Sequence, residues 1–263
     1  MLPQRVKLLL KTNLVEPHAA MKAIERAGLM AAMTNPDVVI VIGGDGAFSQ
    51  AGRVEQAPLL FVGVRDPRPD GSKGAMSTIW YEDLMPALIA IKEGRYRTTV
   101  LPKLAVKVNN TLLGDVFTDI YLQRGLESGC LRYTVDVTNH QIRIRESAIS
   151  DGVIITTPQG ATGYYSYSDK ISKDGIFTRA PRTRIASDSM GVCHILPAYL
   201  ERETSRTAFF RYTVPIESTV KVALDRPSGA RLYGFGQETG IPFVFGEELL
   251  ISRSKSDAKL VEF

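Results

Sequence analysis

Residues Val38-Val39-Ile40-Val41-Ile42 run directly into Gly43-Gly44-Asp45-Gly46-Ala47. An unbroken apolar run rich in β-branched residues has no polar face to give to water. It suits a strand buried on both sides, the environment of a parallel sheet covered by helices. A strand that ends in Gly-Gly-Asp-Gly delivers a tight turn almost free of side chain. Glycine reaches backbone angles closed to other residues and lets the main chain come close to a ligand. Successive N–H groups in such a turn suit phosphate oxygens, and Asp45 is the one acid among them. No Gly-Lys-Ser/Thr follows, so this is not a P-loop. The G-x-G-x-x-G of dinucleotide-binding folds is also absent. A plain strand-to-helix connection is the alternative reading.

The flanking sequence extends the pattern. Residues 5–10 read as a strand, 17–32 as a helix with Ala20, Met21, Ile24 and Leu29 on its apolar side, and 47–54 as a short helix. Residues 59–64 read as a third strand, and 82–93 as an amphipathic helix stopped by Gly94. This alternation predicts an α/β N-terminal domain with a parallel sheet. Past residue 98 the pattern changes to short alternating segments at 99–101, 104–108, 116–122, 133–137, 141–145, 152–157, 209–214 and 219–224. Such a series predicts an all-β domain, with Asn109-Asn110 as a hairpin turn. The tail offers two more strands, at 247–254 and 259–263. The expected division is 1–98, 99–245, and 246–263 returning to the first domain. The Arg-rich stretch 171–208 reads as a poorly ordered connection, with an extended active-site loop as the alternative.

Composition narrows the function. Of 263 residues 44% are hydrophobic, enough for a core, and the net charge of +4 is spread along the chain. That leaves no nucleic-acid footprint. The denser basic groups, Arg143 with Arg145 and Arg179 with Arg182 and Arg184, read as solvated faces. No apolar run has membrane-spanning length, and the N-terminus lacks a signal-peptide pattern; a cytoplasmic protein is expected. Cys130 and Cys193 form no redox or metal motif, and His18, His140 and His194 are scattered, so no zinc site is expected.

A second informative stretch is Ser150-Asp151-Gly152, then Thr156-Thr157-Pro158-Gln159-Gly160-Ala161-Thr162-Gly163-Tyr164. A strand again enters a turn rich in small residues, with Thr157, Thr162 and Tyr164 as hydrogen-bond donors. A threonine-capped connection is the bland reading. Taken in order with Gly-Gly-Asp-Gly-x-Phe, however, the pair resembles the NAD kinase family over nearly the whole chain, closing segment 245–254 included. The resemblance implies transfer of a phosphoryl group from ATP or polyphosphate, with Mg²⁺ carried by the nucleotide, to the 2′-hydroxyl of the adenosine ribose of NAD. It implies Asp45 as the catalytic carboxylate and Gly43, Gly44 and Gly46 as a phosphate cradle. Phe48 would line the adenine side, Thr118 and Asp119 would bind the nucleotide, and Asp151 would meet the nicotinamide end. Thr162, Gly163 and Tyr164 would hold NAD along its ribose and adenine. A homodimer or homotetramer is implied as well.

Several positions depart from the family pattern. Ala47 replaces a threonine, Arg65 stands where an asparagine is usual, and Thr118-Asp119 replaces Asn-Glu. Ala161 replaces a serine, Ser150 stands where a basic residue precedes Asp-Gly, and Phe235 replaces the aspartate of a late Asp-Gly-Gln. Two alternatives therefore stay open: a weakened or inactive nucleotide-binding relative, and a kinase of the same superfamily with another acceptor such as a lipid.

Overall fold

The computed structural model describes residues 2–68, 72, 74–126, 129–170, 183–205 and 207–263. The expectations for Arg179, Arg182 and the rest of 171–182 lie outside the described residues. The chain divides into two compact units, residues 1–101 with 257–263, and residues 102–256.

The first unit contains β1 (Arg5–Leu10), α1 (Pro17–Arg26), β2 (Met30–Ala31), β3 (Val38–Gly43), α2 (Asp45–Val54), β4 (Leu59–Gly63), β5 (Ile79–Trp80) and α3 (Leu84–Lys92). Strands β2, β1, β3 and β4 lie side by side, all parallel, with β5 also parallel to β4. Every side chain from Val38 to Ile42 is fully buried, as a two-sided strand requires. Ile40 and Ile42 join Ile24, Leu60, Leu88 and Ile91 in one core. The predicted first helix overshoots. It ends at Arg26, and Gly28, at φ +72°, turns the chain into β2, a left-handed conformation that glycine takes without strain. The second helix begins earlier than predicted, at Asp45 itself.

The second unit is built from antiparallel strands. They are β6 (Arg97–Val108), β7 (Thr111–Val116), β8 (Asp119–Arg124), β9 (Leu131–Thr138), β10 (Arg143–Ser150), β11 (Gly152–Thr156), β12 (Ser189–Ile195), β13 (Tyr199–Arg202), β14 (Arg211–Pro215), β15 (Thr219–Leu224), β16 (Ala230–Tyr233), β17 (Ile241–Phe243) and β18 (Glu248–Glu262). One layer orders β13-β10-β9-β15-β18, and a second orders β14-β12-β11-β8-β16-β17. Alternation explains the core: Leu131, Tyr133, Val135 and Val137 of β9 point in, as do Val220 and Val222 of β15. Asn109 and Asn110 both have positive φ, 49° and 66°, as a two-residue hairpin turn requires.

Three segmentations differ from expectation. The predicted strand 116–122 is broken at Phe117-Thr118, between β7 and β8. The predicted strands at 99–101 and 104–108 are one strand, β6, and the two tail strands are one, β18. Strand β18 pairs with β15 from Glu248 to Ile251, and its last residues belong to the first unit, where Leu260 pairs with Leu59. Within 183–208, read above as a poorly ordered connection, lie β12 and β13. β12 is almost wholly buried.

Ile40 is 0% exposed in the most buried strand of the first unit. Ile40→Ala is expected to cost about 2–5 kcal/mol by denaturant unfolding, with no new contact to offset the cavity.

Candidate active site

In a parallel sheet all the carboxyl ends of the strands emerge at one edge. Here β1 and β3 are in register from Val6↔Val38 to Leu10↔Ile42, and β3 and β4 from Val39↔Leu59 to Gly43↔Gly63. The three segments that follow these strands therefore come together: Lys11–Leu14, Gly43–Ala47, and Val64 onward. They enclose a polar cleft of about 390 Å³. The carboxyl edge of an open α/β sheet is where such folds bind ligands. Lys11 and Arg68 line the cleft. The Arg68 Nη2 lies 2.6 Å from Asp66 Oδ2.

Helix α2 starts at this edge. Gly44 stands at its N-cap with no side-chain cap, and Asp45 opens its first turn. The uncapped amides and the helix dipole favour negative charge here. The Asp45 carboxylate is held from the opposite segment. Oδ1 accepts from the Met76 N–H at 3.0 Å, and Oδ2 accepts from the Ser72 hydroxyl at 3.3 Å. The Asp45 N–H in turn donates to Ser72 Oγ at 3.0 Å.

The glycines serve space rather than unusual backbone angles. None of Gly43, Gly44 and Gly46 has positive φ. A Cβ on Gly44 would come within 2.5 Å of the Ser72 Cβ, and one on Gly43 within 3.2 Å of the Lys11 carbonyl oxygen; Gly46 faces open space. Phe48 is fully buried, stacked on Phe61 at 4.6 Å between ring centroids. The structure places it in the core, and it is not among the residues that line the cleft. Arg65 does not line it either; its guanidinium lies 4.9 Å from the Trp80 ring centroid.

The second unit gathers the other predicted residues. The Thr157 hydroxyl donates to the Phe117 carbonyl at 2.7 Å, and the Thr157 N–H to the Thr118 carbonyl at 2.7 Å. These bonds bring Thr118-Asp119 beside the turn Pro158–Thr162. Gly160 is packed so closely that a Cβ would lie 2.7 Å from the Thr118 oxygen, and a Cβ on Gly163 would sit 3.8 Å from Asp119 Oδ2. Thr162 is half-buried, and its carbonyl accepts from the Ser166 hydroxyl at 3.0 Å. Tyr164 meets Tyr121 edge-on at 5.3 Å, and Tyr121 stacks on Tyr233 at 5.2 Å. Asp119, Gly163 and an aromatic surface are thus neighbours.

Burial pushes the Asp119 carboxyl up to about 6, against opposing hydrogen bonds from Thr118 and its own main chain. Asp151 lies at the turn between β10 and β11, its Oδ1 3.2 Å from the Arg124 Nε.

Sequence reading missed Ser72, whose loop carries no motif. It also missed Tyr121, although Asp119-x-Tyr121 on one strand places both on the same face. Of the departures from the family pattern, Ser150 is fully buried and Ala161 is 1% exposed, while Phe235 is partly buried and packs against the core. Among the described residues no cluster of three or more His, Cys, Asp or Glu could hold a metal ion, and no helix is long and apolar enough to cross a membrane.

Comparison with known proteins places this geometry. No family model matches the chain. A curated NAD kinase from Magnetococcus marinus is 23% identical over 256 residues, 95% of this chain and 74% of that one. The chain spans only about half the length of other curated relatives it matches, among them NAD kinases from Thermoplasma acidophilum and Picrophilus torridus. An NAD kinase from Archaeoglobus fulgidus, solved in complex with ATP, superposes with a TM-score of 0.67 at 19% identity, covering 98% of this chain and 93% of that one. Yeast NADH kinase, solved with NADH, gives 0.73 at 16% identity, with 99% and 84% covered.

Two tests follow from the geometry. Gly44→Ala is expected to push Ser72 off Asp45 while leaving the melting temperature within about 2 °C, read as a changed NMR shift of the Asp45 carboxyl carbon. Asp119 binds its proton more tightly folded than unfolded, so its contribution to stability falls as pH rises from 3.8 to about 6. Asp119→Asn is expected to flatten that fall and to be the more stable protein at pH 8, by at most about 3 kcal/mol. Thermal melts across pH read both effects. In sequence and in fold, the chain is similar to NAD kinases, at low identity.

Proposed function

We propose that this chain phosphorylates the 2′-hydroxyl of the adenosine ribose of NAD, using ATP, and releases NADP. The observation that carries the reading is Asp45: a carboxylate on the first turn of an uncapped helix, its two oxygens held by Ser72 and Met76. Phosphoryl transfer asks mostly for positioning and neutralisation of charge. In this reading Asp45 accepts the proton of the ribose hydroxyl as that oxygen attacks the terminal phosphorus, and the bridging oxygen leaves with ADP. The amides at Gly43, Gly44 and Gly46, with Lys11 and Arg68, meet the phosphates. Mg²⁺ would arrive on the nucleotide and supply charge neutralisation, with Asp45 and Asp66 as the carboxylates beside it. Asp119, Thr162, Gly163 and Tyr164 hold the acceptor nucleotide, and Asp151 its nicotinamide end. Support for ATP as donor comes from the Archaeoglobus fulgidus enzyme, which was solved with it. A cytoplasmic homo-oligomer without a nucleic-acid or membrane partner belongs to the same reading.

One observation favours a second reading, nucleotide binding without turnover. Asp119 is a shorter acid than the glutamate usual there, and its carboxyl is raised to about 6, so its charge is the more easily lost.

An assay for NADP⁺ formation with Mg²⁺, NAD⁺ and either ATP or polyphosphate separates the two. The proposal expects turnover, and expects Asp45→Asn to lower it by about 10²–10⁴-fold with NAD⁺ affinity unchanged. Folded protein that makes no NADP⁺ from either donor leaves the second reading standing.

A further inference from the structure

Beneath the Asp151 turn runs a chain of polar groups that the proposed reaction does not use. Glu146 of β10 is 1% exposed, and Tyr133 of β9, Ser150 of β10 and His194 of β12 are 0% exposed. Glu146 Oε1 accepts from the Arg202 Nε at 2.9 Å and Nη2 at 2.6 Å, and Oε2 accepts from the Tyr212 hydroxyl at 2.6 Å. His194 Nε2 lies 3.1 Å from Glu146 Oε2, and Nδ1 lies 2.8 Å from the Tyr133 hydroxyl. That hydroxyl is 2.7 Å from Ser150 Oγ and donates to the Gly152 carbonyl at 2.7 Å. The Gly152 N–H donates to Ser150 Oγ at 3.0 Å.

Burial alone would raise the Glu146 carboxyl, but hydrogen bonds from His194, Tyr212 and Arg202 together hold it below its ordinary range. Burial keeps the Tyr133 phenol protonated.

The place where this chain ends is informative. β10 belongs to one layer of the unit and β11 to the other. Asp151 is the single residue between them. Gly152 sits at φ +150°, and a Cβ there would come within 2.0 Å of the Leu122 carbonyl oxygen. Connecting the strands does not need the buried chain. The Asp151 N–H already donates to the Ile195 carbonyl at 2.9 Å, and the Arg124 N–H to the Asp151 carbonyl at 3.0 Å. Nor is stability its evident return, since apolar residues of similar volume commonly replace a buried ion pair at no loss. What directed hydrogen bonds add is a fixed orientation.

We propose that Glu146, His194 and Tyr133 are positioning residues for the acceptor nucleotide, holding the Ser150–Gly152 turn so that the Asp151 carboxylate keeps one direction. The inference deepens the functional reading above and rests on its assignment of Asp151.

Tyr133→Phe keeps the ring and removes the hydroxyl. Two readouts on the full chain test the idea. The first needs no ligand: amide hydrogen exchange at Asp151 and Gly152 should speed up at least about tenfold relative to the rest of β10 and β11. Unchanged exchange at those two amides overturns the proposal whatever the protein binds. The second is kinetic: KM for NAD⁺ should rise about tenfold while kcat and KM for ATP stay within about twofold, the mark of lost binding rather than lost chemistry. Ser150→Ala, which removes the acceptor of the Gly152 N–H, should give the same split and serves if Tyr133→Phe does not fold. Asp151→Ala is the reference. If it weakens NAD⁺ binding and neither hydroxyl variant does, positioning is refuted and the functional reading stands. If it leaves NAD⁺ binding unchanged, the assignment of Asp151 fails and the inference with it.

Discussion

Burial of β3 on both faces is the constraint on which the first unit depends. A strand with no polar side can sit only between two parallel neighbours with helices over both surfaces. Parallel pairing then sends every carboxyl end to the same edge. The register of β1, β3 and β4 ends at neighbouring positions, Leu10 against Ile42 and Gly43 against Gly63, so three loops meet there without long-range design. The helix that follows β3 begins at once. Its uncapped amides and Asp45 are consequences of how soon the chain turns, and the space for that turn is made by Gly44 under Ser72.

The second unit solves a different problem. Many of its strands alternate and give one face to the core, as in Tyr133, Val135 and Val137, while β11 and β12 are buried on nearly every residue. Such a layer carries polar groups on the other face without cost. Asp119 and Tyr121 share a face of β8, and Tyr233 is the register partner of Tyr121. The exception is the buried chain from Arg202 through Glu146 and His194 to Tyr133. There the unit accepts desolvation of ionisable groups, and it does so next to Asp151, the single residue between β10 and β11.

The departures from the family pattern look different once burial is known. Ala161 and Phe235 lie against or within the core, where volume and packing decide what is tolerated. Arg65 is engaged with Trp80 and Glu82, away from the cleft. Ala47 lines the cleft of the first unit, and Thr118-Asp119 lies beside the turn Pro158–Thr162. Identities of 16–19% to structures that share the fold are what such a distribution gives, because a buried pattern constrains polarity and size more than identity.

Local sequence determined a good deal. The two-sided strand 38–42, the Asn109-Asn110 turn and the period-2 strands were legible because backbone preference and burial pattern act within a few residues. Asp45, Asp119, Asp151 and Tyr164 could be singled out as candidates because they stand in short motifs. Tertiary structure decided the rest. Phe48 adjoins the Gly-Gly-Asp-Gly motif, yet packs on Phe61, because helical spacing turns its side chain inward from the turn that Asp45 opens. The stretch 183–208 looks irregular by its charges, and still supplies β12 and β13, because strand pairing with β11 and β10 is non-local. Ser72 holds Asp45 across 27 residues, and His194 reaches Glu146 across 48. Such pairings cannot be read along the chain: their partners become neighbours only when the sheets close, and it is the closed sheets, through packing and desolvation, that give a serine or a histidine its role.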